Sequence, residues 1–386
     1  MIISPARRLQ QVEEYYFSRK LQQIRHMNRA GKDVINLGIG SPDLAPSSET
    51  VSVLSEVAYQ PNAHGYQPYR GIAALREAIA TWSKQTFGSA LSAENEVLPL
   101  MGSKEGITHI SLAFLNSGDE VLVPSLGYPA YTAVTRMVEA QVQTYPLLDG
   151  TWQPDFEAME NMNTDRVKLL WCNYPHMPTG VSAGPQTFEK LIDFARRRNI
   201  LICHDNPYAL VLNQNKPISI LSVTGAREVA IELHSLSKSH NMAGWRLGWI
   251  AGQADYLNEI IKIKSNVDSG MFKAIQQAAV AALRNSEEWH QQRNQEYRER
   301  QKIIFELADL LKCKFAPQQQ GMFVWAEIPG EEKSAEKLSE RILQQHYVFI
   351  TPGHIFGNQG NRYLRFSLCV PQERLREAVR RIASLE

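Results

Sequence analysis

The chain is short of cysteine and of net charge, and both shortages narrow what it can be. Its 386 residues hold four cysteines, Cys172, Cys203, Cys313 and Cys369, which stand singly with no CxxC spacing. A disulfide framework is therefore not expected, and a reduced, intracellular setting fits better. Lys and Arg number 41 against 40 Asp and Glu. That balance leaves no basic field to gather nucleic acid or anionic membrane, so an anionic ligand must be held by a few placed groups. No apolar run approaches membrane-spanning length, and the opening MIISPARRLQQVEEYYF lacks the apolar core of a signal peptide. Cytoplasmic is the expectation. The ten histidines show no HExxH spacing and no GxSxG elbow occurs, so neither a metal centre nor serine hydrolysis is expected.

What is present is a regular alternation. At this length one core normally stops growing, so two lobes are expected. From about residue 95, β-rich runs are predicted at Glu96–Met101, Glu120–Pro124, Gln141–Tyr145, Val167–Asn173, Ile200–Asp205, Val229–His234 and Leu247–Ala251. Amphipathic helical stretches such as Lys104–Leu115 and Pro185–Arg198 lie between them. The pattern predicts an α/β fold, a mostly parallel sheet covered by helices on both faces. After Gly270 the pattern changes. Phe272–Leu311 reads as helix broken at Asn285-Ser286, then come Gly321–Pro329, a helix near Ser334–Gln345, strands at Tyr347–Thr351 and Tyr363–Cys369, and a helix from Pro371. That is a smaller α+β lobe. The expected division is 45–270 for the large lobe, with 1–44 and 271–386 forming the small one.

In parallel sheets ligands sit beyond the carboxyl ends of the strands. The first run ends in Gly102-Ser103-Lys104 at a helix start, which offers free backbone N–H groups to a phosphate. Most such turns are only caps, and Gly38-Ile39-Gly40 lacks the third glycine of a dinucleotide fingerprint. Another run ends in His204-Asp205-Asn206-Pro207-Tyr208, where the aspartate is either a turn residue or a buried anion facing a cation. A third ends in Ser235-Leu236-Ser237-Lys238-Ser239-His240, with Arg246 following. A lone lysine is usually solvated. This one stands among small and hydroxyl residues, where a desolvated amine can attack a carbonyl.

Ser235, Ser237, Lys238 and Arg246, with the motifs around them in order, resemble the lysine motif of class I/II aminotransferases. The resemblance runs from Asn36 to Arg365 and implies the pyridoxal-phosphate-dependent transferase fold of type I, whose large domain carries a seven-stranded sheet. It implies pyridoxal 5'-phosphate as cofactor, bound through Lys238 as a Schiff base, with Lys238 moving the substrate's Cα proton. Asp205 would pair with the pyridine nitrogen, Tyr208 would hydrogen-bond the ring's phenolic oxygen, and Tyr128 would stack on the ring. Ser103 and Lys104 backbone groups, Ser235 and Arg246 would hold the phosphate. Tyr66 would reach it from the neighbouring subunit, which makes the active unit a homodimer. Arg365 would clamp the α-carboxylate with Gly40 offering a backbone contact, although an arginine in an edge strand often just faces water.

The chain departs from the family at Met177-Pro178-Thr179-Gly180, where an asparagine usually stands in place of Met177 and donates to the phenolic oxygen. Asn173 and Asn206 are the nearby candidates to compensate. The segment from Ser265 to Phe272 and Tyr15-Tyr16-Phe17 resemble the subgroup of LL-diaminopimelate and alanine aminotransferases, in which the latter segment lies over the site. The expected reaction moves an amino group between an L-amino acid and a 2-oxo acid. A carbon–sulfur β-lyase on the same fold is the alternative. A non-catalytic regulatory module is the more distant one, because the stretch before Gly38 is short for a DNA-binding domain.

Overall fold

The computed structural model of the chain describes residues 2–12 and 14–383. Its principal sheet has seven strands: β1 (Val97–Leu100), β2 (Glu120–Pro124), β3 (Gln141–Tyr145), β4 (Val167–Asn173), β5 (Leu201–Asp205), β6 (Ala230–Ser235) and β7 (Gly248–Gly252). They lie in the order β1-β7-β6-β5-β4-β2-β3. All pairings are parallel except those of β7, which runs antiparallel to both β1 and β6. Strands buried on both faces read as continuous apolar runs, and alternate residues here feed two cores. Leu170, Cys172 and Ile202 pack into one, and Leu169, Trp171 and Cys203 pack into the other. Trp171 is fully buried and stacks on Tyr131 at 4.8 Å, so truncation to alanine is expected to cost about 3–5 kcal/mol.

The crossover from β4 to β5 shows how local signals set each element. Pro185 opens the helix Pro185–Arg198 at its first turn, where no N–H is needed, and Asn199 closes it in the left-handed region at φ 55. Arg196, Arg197 and Arg198 occupy its last turn, where cations complement the helix dipole. The predicted long helical stretch is two helices, Lys273–Ala282 and Glu287–Leu310, and Ser286 caps the second by accepting from Trp289 N at 3.3 Å.

Two smaller sheets complete the fold. Thr351–Pro352, Tyr363–Ser367, Phe323–Glu327 and Lys314–Phe315 form an antiparallel sheet in that order, and Ile35–Asn36 pairs parallel with Val348–Phe349. The predicted strand Tyr347–Thr351 is thus divided between two sheets. Its ladder breaks at Ile350, whose carbonyl accepts from the Ser339 hydroxyl at 2.5 Å and not from a neighbouring strand. Among the described residues no helix is long and apolar enough to cross a membrane.

Because β2 to β6 run parallel, their carboxyl ends share one edge of the sheet, and Asn173, Asp205 and Ser235 stand there. Antiparallel β7 brings Gly248 to the same edge, opposite Ser235 and Leu100. A Cβ on Gly248 would lie 2.5 Å from the His234 carbonyl and 2.7 Å from Ser103 N. Only glycine permits that approach, which sets the Ser103 helix start against the Ser235 turn.

Candidate active site

A cavity of about 640 Å³ opens at this edge. Lys238 enters it from a single helical turn, Leu236–Ser239, whose cap is Ser235 Oγ accepting from Ser237 N at 3.1 Å. Its ammonium donates to the Gly40 carbonyl. Burial lowers the Lys238 pKa below that of an ordinary lysine, and the positive charges of Arg365 and Arg246 act in the same direction. A lysine shifted this way gives up its proton more readily, as a nucleophile or proton carrier must.

Asp205 closes β5 and is 5 % exposed. Tyr131 donates to its Oδ2 at 2.8 Å, while Oδ1 has no partner among the described residues. Burial pushes this carboxyl up to about 6, opposed first by the Tyr131 hydrogen bond and then by His204 and His234. Behind it, Glu232 accepts from Asn206 at 3.0 Å, lies 2.9 Å from His204 Nδ1 and 3.0 Å from His234 Nε2, and is held ionised against its burial chiefly by His234. An orphaned carboxylate oxygen facing a cavity calls for a cation or an N–H donor.

At the other side of the cavity stand Ser103 at the start of the helix Ser103–Phe114, Lys104, Ser235, Ser237 and Arg246. Arg246 adopts a left-handed φ of 56 and donates to the Ala243 carbonyl at 2.9 Å and to Ser237 Oγ at 3.4 Å. Neither partner is charged. A Cβ on Gly102 would come within 2.1 Å of Arg246 Nη2, so Gly102 gives the guanidinium its place beside the helix start. Fixed donors, a helix N-terminus and a cation without a counter-charge make a phosphate cradle.

Arg365 projects from the second strand of the four-stranded sheet, opposite Trp325 and Thr351. That is an interior strand, so the water-facing edge arginine considered from sequence does not apply. It is 4 % exposed and packed among the rings of Phe323, Phe356 and Phe17 at 3.8, 4.5 and 5.4 Å. Nη2 donates to the Gly38 carbonyl at 2.7 Å, Nη1 approaches Met177 Sδ at 3.4 Å, and Nε has no partner among the described residues. Burial lowers this guanidinium to about 10, which still leaves it charged at neutral pH.

The cavity lining brings together Gly40, Ser103, Lys104, Tyr128, Asn173, Asp205, Tyr208, Ser235, Lys238, Arg246 and Arg365. Tyr66 is not among them and stands 92 % exposed on the surface. Asn173 lies at the wall with both polar groups engaged, Nδ2 on the Asp205 carbonyl and Oδ1 on Met177 N. Asn206 does not share this wall; its amide turns away to Glu232 and the Ile218 carbonyl, because Pro207 and Tyr208 take the turn toward the cavity. Tyr15 and Phe17 also line the cavity, beside Tyr128. Sequence reasoning missed Tyr131 and Phe323; a position one helical turn after Tyr128 is the one signal that pointed to the former. Among the described residues Glu105, His109 and Asp268 also lie within reach of a common point, but Lys264 pairs with Asp268 at 2.8 Å and supplies that point with a cation.

These residues fit pyridoxal phosphate. The unpartnered Asp205 Oδ1 suits a protonated ring nitrogen, the Arg246 cradle suits the phosphate, and Lys238 stands between them in the same cavity.

Comparison with known proteins identifies the family of the chain. The family profile for class I and II aminotransferases matches residues 32–382. The LL-diaminopimelate aminotransferase of Moorella thermoacetica is 38% identical over 98% of this chain and 97% of its own length. That of Maridesulfovibrio salexigens is 40% identical over 92% of each. Among solved structures, substrate-bound BacF from Bacillus subtilis superposes with a TM-score of 0.94 at 35% identity, covering 100% of this chain and 98% of that one. An aminotransferase from Staphylococcus aureus gives 0.89 at 28%, covering 99% of each.

Proposed function

The chain belongs to the class I and II aminotransferases, a pyridoxal-phosphate-dependent family, and from that premise we propose which residues carry its transfer of an amino group between an amino acid and a 2-oxo acid. The observation that carries the reading is the convergence of Lys238, Asp205, Arg246 and Arg365 on one cavity. When bound, pyridoxal phosphate supplies an electron sink that stabilises negative charge at the substrate α-carbon.

The protein's own groups do the rest. Lys238 Nζ, lowered in pKa by burial, takes the proton from the substrate α-carbon and returns it. Asp205 would hold its charge against the ring nitrogen and keep it protonated. Tyr208 would bond the phenolic oxygen and Tyr128 would pack on the ring. Ser103 N–H, the Lys104 backbone, Ser235 Oγ and Arg246 would hold the phosphate, with Asn173 at the wall beside Asp205. Arg365 presents a planar fork to the α-carboxylate beside Gly40, and its three phenylalanine neighbours exclude water from that pair. The amino-transfer names of the relatives favour transfer over β-elimination.

The reading extends to assembly. Tyr66, exposed in the single chain, serves the phosphate of a partner in a cytoplasmic homodimer, with residues 45–270 forming the cofactor lobe and 1–44 with 271–386 the smaller one. Mixing Lys238→Ala chains with Tyr66→Phe chains tests both assignments. Hybrid dimers then hold one site with both residues intact and recover roughly a quarter of wild-type activity on statistical mixing; no recovery above the parent variants contradicts the shared site.

A further inference from the structure

Arg293 lies outside the cavity, yet it touches two of the segments that build it. It sits on the second turn of the helix Glu287–Leu310 and is 4 % exposed. Nη1 donates to the carbonyl of Ser239, the residue after Lys238, and Nη2 donates to the carbonyl of Leu210, two residues after Tyr208. Both carbonyls end short turns, where no following helix N–H is available to them. Asn294 reinforces one arm, donating to the Leu210 carbonyl at 3.1 Å and accepting from Leu212 N at 3.3 Å.

The surroundings of this guanidinium are unusual for a buried cation. Its remaining contacts are His290 Nδ1 at 3.1 Å, Asn294 Oδ1 at 3.0 Å and the Trp289 ring at 5.5 Å. No carboxylate pairs with it among the described residues. Burial lowers it to about 10, so it remains charged at neutral pH. A buried charge balanced only by oriented dipoles is costly. Here the balancing dipoles are the carbonyls that terminate the Lys238 and Tyr208 turns.

We infer that Arg293 is a positioning residue that fixes Lys238 relative to Tyr208 by bridging the Ser239 and Leu210 carbonyls. The inference rests on the roles proposed above for those two residues. A planar fork holds two acceptors at a set separation, which a lysine ammonium does not. Loss of that setting lets the two turns shift independently while each keeps its own internal hydrogen bonds, such as Ser239 Oγ to the Ser235 carbonyl at 3.1 Å.

The test follows the attachment of pyridoxal phosphate to the full chain, without any amino acid. Apo-protein is mixed with the cofactor and the visible absorption of the lysine-bound form is followed in time. Arg293→Ala is expected to attach the cofactor about 10- to 100-fold more slowly, the scale of misplacing a reacting group by about 1 Å. Tens of millimolar guanidinium ion, refilling the space, is expected to restore most of the rate, and Arg293→Lys to fall between. Attachment at the wild-type rate, or a slow rate that guanidinium leaves unchanged, overturns the inference. Should Arg293→Ala fail to fold, Arg293→Lys carries the same decision, since a wild-type rate in it overturns the bridge. A Lys238→Ala chain that keeps the band would instead overturn the role of Lys238, a separate result.

Discussion

The Tyr131 hydroxyl donates to Asp205 Oδ2 at 2.8 Å, and Asp205 Oδ1 is left without a partner among the described residues. The carboxylate is therefore half satisfied by the fold and half reserved for a ligand. Burial pushes it up to about 6 from the 3.8 of an ordinary aspartate. A carboxyl raised in this way binds more protons folded than unfolded between about pH 4 and pH 6, so its ionisation weakens the fold as pH rises through that window. A shift near two units is worth roughly 3 kcal/mol. Cofactor-free Asp205→Asn is expected to be more stable than wild type near neutral pH, by up to about that amount, and equal to it below about pH 4. Urea unfolding of both proteins at the two pH values checks the claim; equal stability near neutrality contradicts it.

Met177 stands where the family resemblance implies an asparagine donor, and its thioether meets Arg365 at 3.4 Å. Without that donor an ionised phenolic oxygen on the bound cofactor would be less stabilised. Met177→Asn is expected to lower the pH midpoint of the cofactor's absorption change by on the order of one unit, the equivalent of one hydrogen bond to a charged group. A spectroscopic titration with an unmoved midpoint contradicts it.

Arg365 is enclosed by three aromatic rings, and among the described residues its Nε has no partner. Arg365→Lys keeps the charge but loses the fork and the ring stacking. KM for the amino donor is expected to rise roughly 10- to 100-fold, with a smaller fall in kcat, because a bidentate carboxylate contact is lost in the ground state and the transition state alike. Steady-state kinetics separates the two. An unchanged KM would remove Arg365 from the substrate.

Much of this architecture was legible because parallel, doubly buried strands write themselves as apolar runs, and their ends then expose Asp205 and Lys238 to inspection. β2, β3 and β4 begin and end where their residues predict. The four-stranded sheet was less legible: nothing in Tyr347–Thr351 announces that Ile350 gives its carbonyl to Ser339 and parts the run between two sheets. Arg293 was invisible, and Tyr131 only hinted at by its place one turn after Tyr128, for a related reason. Helical periodicity says that a side chain faces inward, but not which carboxylate or carbonyl it meets, and those partners lie 74 and 54 residues away in sequence for Asp205 and Ser239. Asn206 was misplaced because adjacency to Asp205 does not fix the direction of a side chain at a turn.

The central claim, that Lys238 and its neighbours make this cavity a transaminating site, is tested most directly by the absorption spectrum of the cofactor-loaded protein during addition of single amino acids without an acceptor. Glutamate, alanine, methionine, phenylalanine and LL-diaminopimelate form the panel. At least one donor is expected to replace the lysine-bound band with that of the aminated cofactor, and Lys238→Ala to abolish the change. A wild-type band that persists with every donor, while cystathionine releases pyruvate and ammonia, would contradict it.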